Sequence, residues 1–248
     1  MNQPRTARPH RQVVSFVRRS TRMNDSQAKA WAERGRWVIP VPREETSTSI
    51  APGGTRIAWP EVFGREAPPL IVEIGCGGGD SPGAAGGRPS RTRSRRLRGV
   101  PTDAGLHDDQ AARGRGPTMS ACSTRTGVEG LRELFAPGSI TELWTFFPDP
   151  WHKARHHKRR LVSAEFGALV ASRLTPDGCW RIATDWADYA EHCRQTLDEH
   201  PPDLINAYAG AGGWAPRFAE RPITKFEARG IAEGRDIVDL TYRRADDP

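Results

Sequence analysis

The chain has no run approaching about 18 apolar residues, so no membrane-spanning helix is expected. Its basic N-terminus also lacks the apolar stretch of a secretion signal. The four cysteines, Cys76, Cys122, Cys179 and Cys193, form no C-x-x-C pair. A chain this long does not need cross-links to hold a core, so neither a zinc site nor a disulfide framework is indicated. Reduced thiols and a cytoplasmic location are expected. No third ligand type gathers with the histidines, so no metal is expected. Apolar residues make up only 36% of the chain, low for a globular protein. The shortage is local. Between Ser81 and Thr126 there is no aromatic residue, and the large apolar side chains are Leu97, Val100, Leu106 and Met119 alone. Neither a period of 2 nor one of 3.6 is found there, which reads as a low-complexity insert.

Charge is unevenly spread. The formal net charge of +7 and a pI near 9.7 suggest a nucleic-acid partner. The Ser81–Thr126 segment, however, holds nine arginines against three acids, net +6, which leaves +1 for everything else. Net charge is therefore poor support for such a partner, and a local cluster would be better.

What is present outside that segment is strongly patterned. Residues 1–45 read as a basic arm with one helix, capped near Asp25 and Ser26 and given an apolar face by Ala28, Ala30, Trp31 and Trp37. Residues 46–248 read as one domain. The run from Pro68 to Gly75 is short, apolar and closed by glycine, as in a buried parallel strand. Further strands are expected at Leu143–Phe147, Cys179–Thr184, Leu204–Tyr208 and Ile237–Tyr242. Helices are expected at Gly127–Leu134, from Ser163 through Leu174, at Trp186–His200 and at Lys225–Glu233. Strands alternating with helices argue an α/β fold, a doubly wound and mostly parallel sheet whose ligands sit at the carboxyl ends of the strands.

Three stretches carry chemistry. Glu73-Ile-Gly75-Cys-Gly77-Gly-Gly79 follows the first strand, where glycines let the backbone approach a ligand closely. Alone such a loop is weak evidence, since many are simply turns. Its single-acid G-x-G-x-G form suits S-adenosylmethionine better than a dinucleotide, which needs a longer cradle for its diphosphate. "FFPDPWHKARHHKRR" is more specific. It puts Asp149 at a strand end between two prolines that fix the backbone direction, then follows it with Lys153, Arg155, Lys158, Arg159 and Arg160. A charge run of this kind is often only a solvated loop. An acid at a strand end, beside dense cations and Trp151, is what chemistry on RNA requires. "ATDWADYAEH" and "RPITKFEARG" add Asp185, Thr224, Lys225, Phe226 and Glu227 to the rim of the same crevice.

These three motifs, with the arm "RQVVSFVRRSTRMNDSQAKAW", resemble the signatures of the bacterial tRNA (guanine-N7-)-methyltransferase family, Rossmann-like class I enzymes dependent on S-adenosylmethionine. The resemblance covers most of residues 11–79 and 127–244. It implies a cofactor site at Glu73, Gly75, Gly77 and Asp149, with Asp149 the candidate catalytic acid. It also implies that Lys153, Asp185 and Thr224 to Glu227 contact the guanosine and its surroundings. The remaining cations, Arg155, Lys158, Arg159 and Arg160, would then hold tRNA phosphates. The oligomeric state is not fixed by the sequence.

The chain departs from the family's pattern at two acids that contact the cofactor ribose and adenine. Their places fall at Arg98 and about Thr126. A change of reading frame over residues of about 81–126 is proposed to account for this. Under permitted codon choices, shifting Ser94–Gly105 by one nucleotide gives RVACEVYRRTP, with a glutamate overlapping Arg98. Shifting Gly116–Thr126 by two gives SDHVRLFDAD, with an aspartate overlapping Thr126. As written, residues of about 81–126 are expected to be poorly structured, with weak or no cofactor binding and poor stability of the chain. Two competing readings therefore stay open: a catalytically inactive tRNA-binding relative, and a dinucleotide-dependent oxidoreductase, against which the glycine spacing argues.

Overall fold

The computed structural model describes residues 38–39, 50, 53, 56–63, 69–75, 104–107, 118–121, 124–200 and 203–245. The arm helix near Asp25 and the loop glycine Gly77 lie outside them. The sheet is built on β2 (Ile71–Ile74), every residue of which is buried. β2 runs parallel to both β4 (Thr118–Ala121) and β5 (Ile140–Phe146), and β5 runs parallel to β6 (Leu174–Thr184). This central parallel block gives the α/β fold expected from the sequence, but with three parallel pairings against four antiparallel the described sheet is mixed and not mostly parallel.

Outside the block the strands reverse. β8 (Val238–Arg244) is antiparallel to β6 and to β7 (Leu204–Asn206). At the other edge, β3 (Ala104–His107) is antiparallel to both β4 and β1 (Val38–Ile39). Among the described residues eight strands lie in the order β1-β3-β4-β2-β5-β6-β8-β7. Two of them, β3 and β4, form within the segment that has neither periodicity. Their sequences, Ala-Gly-Leu-His and Thr-Met-Ser-Ala, hold one large apolar side chain each, and β4 is held by its pairing to the buried β2.

One face of the sheet carries α2 (Thr124–Leu134), α3 (Ala164–Arg173) and α4 (Ala187–Glu199). Their apolar sides meet Val72, Ile74, Leu143, Trp180, Ile182 and Leu240 in the main core. Trp59 of the short α1 (Trp59–Phe63) stacks on Phe135 with centroids 5.1 Å apart. Ser163 caps α3, its hydroxyl accepting from the Phe166 N–H at 3.2 Å, a contact worth about 1 kcal/mol. Buried Trp180 is satisfied by donating to Thr145 Oγ1 at 3.0 Å. Between the pairs Ile140–Leu174 and Glu142–Cys179 the chain turns tightly through Thr175–Gly178. A Cβ at Gly178 would sit 2.9 Å from the Thr175 backbone, so only glycine fits.

The opposite face holds a smaller cluster of Ile71, Trp144, Phe146 and Ala183, covered by Phe147 and Phe218. Trp144 and Phe218 meet edge to face at 5.4 Å. Glu73 shares this face with Ile71 by strand alternation, and it is only 2% exposed.

Candidate active site

Parallel pairing brings the carboxyl ends of β2, β5 and β6 to one edge, with Phe146 opposite Ala183. β8 runs the other way, so its first residue, Val238, lies there too, opposite Thr184. The candidate residues sit along this edge.

At the end of β5 the chain turns sharply. Phe147 takes the left-handed conformation with φ 52°, and its N–H donates to Ala183 O at 2.7 Å. Pro148 is buried, and Asp149 stands exposed beyond it. Pro150 follows, then Trp151, also left-handed at φ 50°. Each bulky residue in that region costs on the order of 1–2 kcal/mol, and such strain persists only where the surroundings over-determine it. The sequence signalled this turn through its two prolines, which exclude helix and fix φ. The two left-handed residues carry no sequence signal of their own.

A 3-10 turn, Ala154–Arg159, follows. Lys153, Arg155 and Lys158 are exposed on it. Arg159 is half-buried, its guanidinium 5.0 Å from the centroid of the Trp151 ring. His156 meets the same ring edge-on at 5.9 Å. Partial burial, then the charges of Arg159, Arg155, Lys153 and Lys158, push its imidazole below the ordinary range. Arg155 Nε donates to His156 Nε2 at 3.3 Å. Arg160 differs from its neighbours: it is buried and turned inward onto Asp188 and the Pro150 carbonyl. The run of cations in the sequence thus divides into an exposed set and an internal one.

Asp185 lies just past β6 and is held by Arg235, whose Nη2 is 2.8 Å away. Gly230 packs against it so closely that a Cβ there would come within 2.9 Å of Asp185 Cβ. Thr224 is the N-cap of α5 (Lys225–Ala232), its hydroxyl accepting from the Glu227 N–H at 3.2 Å. Lys225 and Phe226 project from the first turn, Phe226 being 58% exposed. Glu227 points inward, accepting from Arg217 Nε at 2.7 Å and Arg221 Nη2 at 3.2 Å. Burial raises its carboxyl, but those two guanidinium partners outweigh this and leave it below the usual range. Asp185, Thr224 and Glu227 are thus tied within the protein, while Lys153, Lys225 and Phe226 face solvent. Arg221, which sequence reasoning did not single out, is the fully buried centre of this arrangement.

Gly75, directly after β2, has φ 86° with open space where a Cβ would be. Among the described residues no three His, Cys, Asp or Glu side chains group as metal ligands. No helix among them is long and apolar enough to cross a membrane.

A family model for methyltransferases matches residues 119–240. The tRNA (guanine-N(7)-)-methyltransferase of Cutibacterium acnes is 46% identical over 242 residues, which is 97% of this chain and 86% of that protein. The protein of the same name from Nocardioides sp. is 41% identical, covering 97% and 94%. That from Paraburkholderia xenovorans is 37% identical, covering 97% and 86%. Among solved structures, an antibiotic-related methyltransferase is similar with a TM-score of 0.42 and 12% identity, over 85% of this chain and 98% of that one.

Proposed function

The chain belongs to the tRNA (guanine-N(7)-)-methyltransferase family, and on that premise we propose that it transfers a methyl group from S-adenosylmethionine to N7 of a guanine in tRNA. The observation that carries this reading is the Asp149 turn. An exposed carboxylate stands at the end of a buried parallel strand, on a backbone fixed by two prolines and two left-handed residues, beside the exposed cations Lys153, Arg155 and Lys158.

The donor set fits the methyl donor. S-adenosylmethionine, when bound, supplies a methyl group on a positively charged sulfur and also carries an ammonium. Glu73 and Asp149, carboxylates at the ends of neighbouring parallel strands, suit those charges, and the open backbone at Gly75 admits close approach. Gly77 would extend the same loop. Guanine N7 holds a free lone pair, so it needs no base to remove a proton. The protein's work is then mostly alignment, holding N7 roughly 3 Å from the methyl carbon and in line with the breaking bond. The Asp149 carboxylate orients the base and balances the positive charge growing on the purine.

Lys153, Lys225 and Phe226 serve as direct contacts to the nucleotide. Asp185, Thr224 and Glu227 act by fixing α5 and its approach. Arg155 and Lys158, with Arg159 beside Trp151, hold phosphates and set register without reading sequence.

Transfer of labelled methyl from S-adenosylmethionine into an unmodified tRNA transcript tests this. Incorporation by the wild-type chain, reduced about 100-fold or more in Asp149→Ala with tRNA binding retained, is the expected result. Binding of tRNA without any incorporation would replace this reading with the inactive tRNA-binding relative.

A further inference from the structure

We infer that Arg160 is a positioning residue for the Asp149 turn and not one of the cations that hold RNA phosphate; this rests on the role proposed above for Asp149. Arg160 lies in the middle of a basic run, yet its side chain is only 3% exposed. Its Nε and Nη2 donors are already committed. Nε donates to the Pro150 carbonyl at 3.0 Å. One Nη donates to the Asp188 carboxylate in the first turn of α4, and also lies 3.1 Å from His157 Nε2. Arginine has no acceptor atom, so that imidazole nitrogen is the acceptor and carries no proton. The guanidinium lies 5.2 Å from the Tyr189 ring centroid, and the Tyr189 hydroxyl accepts from the Val162 N–H at 3.3 Å. A guanidinium so enclosed cannot present its fork to a phosphate.

What it does instead follows from the backbone it holds. Pro150 has no N–H, so its carbonyl is the one polar backbone group by which that residue can be tied. Arg160 ties it to α4. Two residues before Asp149, Phe147 is tied by its N–H to Ala183 of β6. Asp149 therefore stands between two anchors on different elements, in a stretch whose left-handed residues Phe147 and Trp151 favour relaxation once an anchor is lost. A carboxylate that must meet a developing charge cannot tolerate such a shift: a misplacement of about 1 Å costs on the order of 100-fold in rate.

The test uses the full-length chain and measures methyl transfer to a tRNA transcript together with the salt dependence of tRNA binding. Arg160→Lys keeps the charge but cannot hold Pro150 and Asp188 together. It is expected to lower kcat roughly 10- to 100-fold and leave KM for tRNA within about twofold, while Arg160→Gln, which removes the charge, is expected to keep the wild-type slope of log K against log salt. Lys158→Ala, an exposed phosphate contact, lowers that slope by about 1. Asp188→Asn loosens the same clamp from its exposed side, the Asp188 side chain being 63% exposed, and so reports even if the Arg160 variant folds poorly. Its smaller kcat loss should not add to that of Arg160→Lys, because both break one clamp. A raised KM with unchanged kcat in Arg160→Lys, or a salt slope lowered by about 1 in Arg160→Gln, would make Arg160 a phosphate contact and overturn the inference. Additive losses in the double variant would also overturn it. Asp149→Asn separates the underlying reading: if it leaves kcat intact, the role of Asp149 falls and the inference with it. If it abolishes transfer while Arg160→Lys does not, the inference alone fails.

Discussion

Arg221 and Asp239 meet inside the protein, with Arg221 Nη2 donating to Asp239 Oδ2 at 2.9 Å; the guanidinium is fully buried and the carboxylate only 5% exposed. Glu227 accepts from the same guanidinium, which lies 5.3 Å from the Phe146 ring centroid and 5.6 Å from that of Phe147. One buried side chain thus joins the first turn of α5, the start of β8 and the end of β5. Removing one partner from a buried ionic group strands the others. Arg221→Met is therefore expected to destabilise the fold by about 3–5 kcal/mol, read from urea denaturation midpoints. A loss below about 1 kcal/mol would mean that Glu227 and Asp239 find solvent or another partner.

Acid should act through the same network and through the Arg160 clamp. Glu227 is driven up by burial but held below 4.5 overall by Arg217 and Arg221. Asp188 is held below 3.8, chiefly by its hydrogen bond from Arg160. Depressed carboxyls contribute stability above their unfolded pKa and lose it as pH falls through the folded value. Denaturation midpoints should therefore be steady from pH 7 down to the ordinary carboxylate range and then fall. Glu227→Gln should flatten part of that fall, and an unchanged acid limb in this variant would contradict the account.

Gly230 offers a local probe of Asp185. Alanine there puts its Cβ 2.9 Å from Asp185 Cβ, an atom that cannot swing away without moving the strand end. Gly230→Ala should cost about 1–3 kcal/mol through overpacking and weaken methyl transfer by displacing the Asp185–Arg235 pair. Wild-type stability and rate in this variant would show that α5 moves freely against β6.

Much of this fold was legible because its signals are local. The apolar run to Gly75, the helix starting at Ser163 and the proline-fenced Asp149 each depend on a few adjacent residues, and each forms where its pattern put it. What was not legible depends on distant partners. Arg160 reads like Arg159 beside it, and it is Asp188, 28 residues away, together with the Pro150 carbonyl, that turns it inward. Arg221 is one arginine among many until Asp239, 18 residues on, and Glu227 enclose it. The antiparallel edges had no local signal, since a strand's direction is settled by the partner it reaches. β4 is visible only through its register with β2.

The proposed change of reading frame over residues of about 81–126 makes its own prediction. Peptide mass spectrometry of the protein from its native source should detect sequences such as EVYRR near position 98. Peptides carrying the arginine-rich sequence as written would contradict a frame change. They would leave the chain without the two acids at Arg98 and Thr126.

The most direct measurement is the identity of the methylated nucleoside. An unmodified tRNA transcript is incubated with the chain and S-adenosylmethionine, digested to nucleosides and analysed by mass spectrometry against standards. The account predicts 7-methylguanosine as the product, lost in Asp149→Ala. A methyl group on another base or another ring position, or no methylated nucleoside at all, would contradict it.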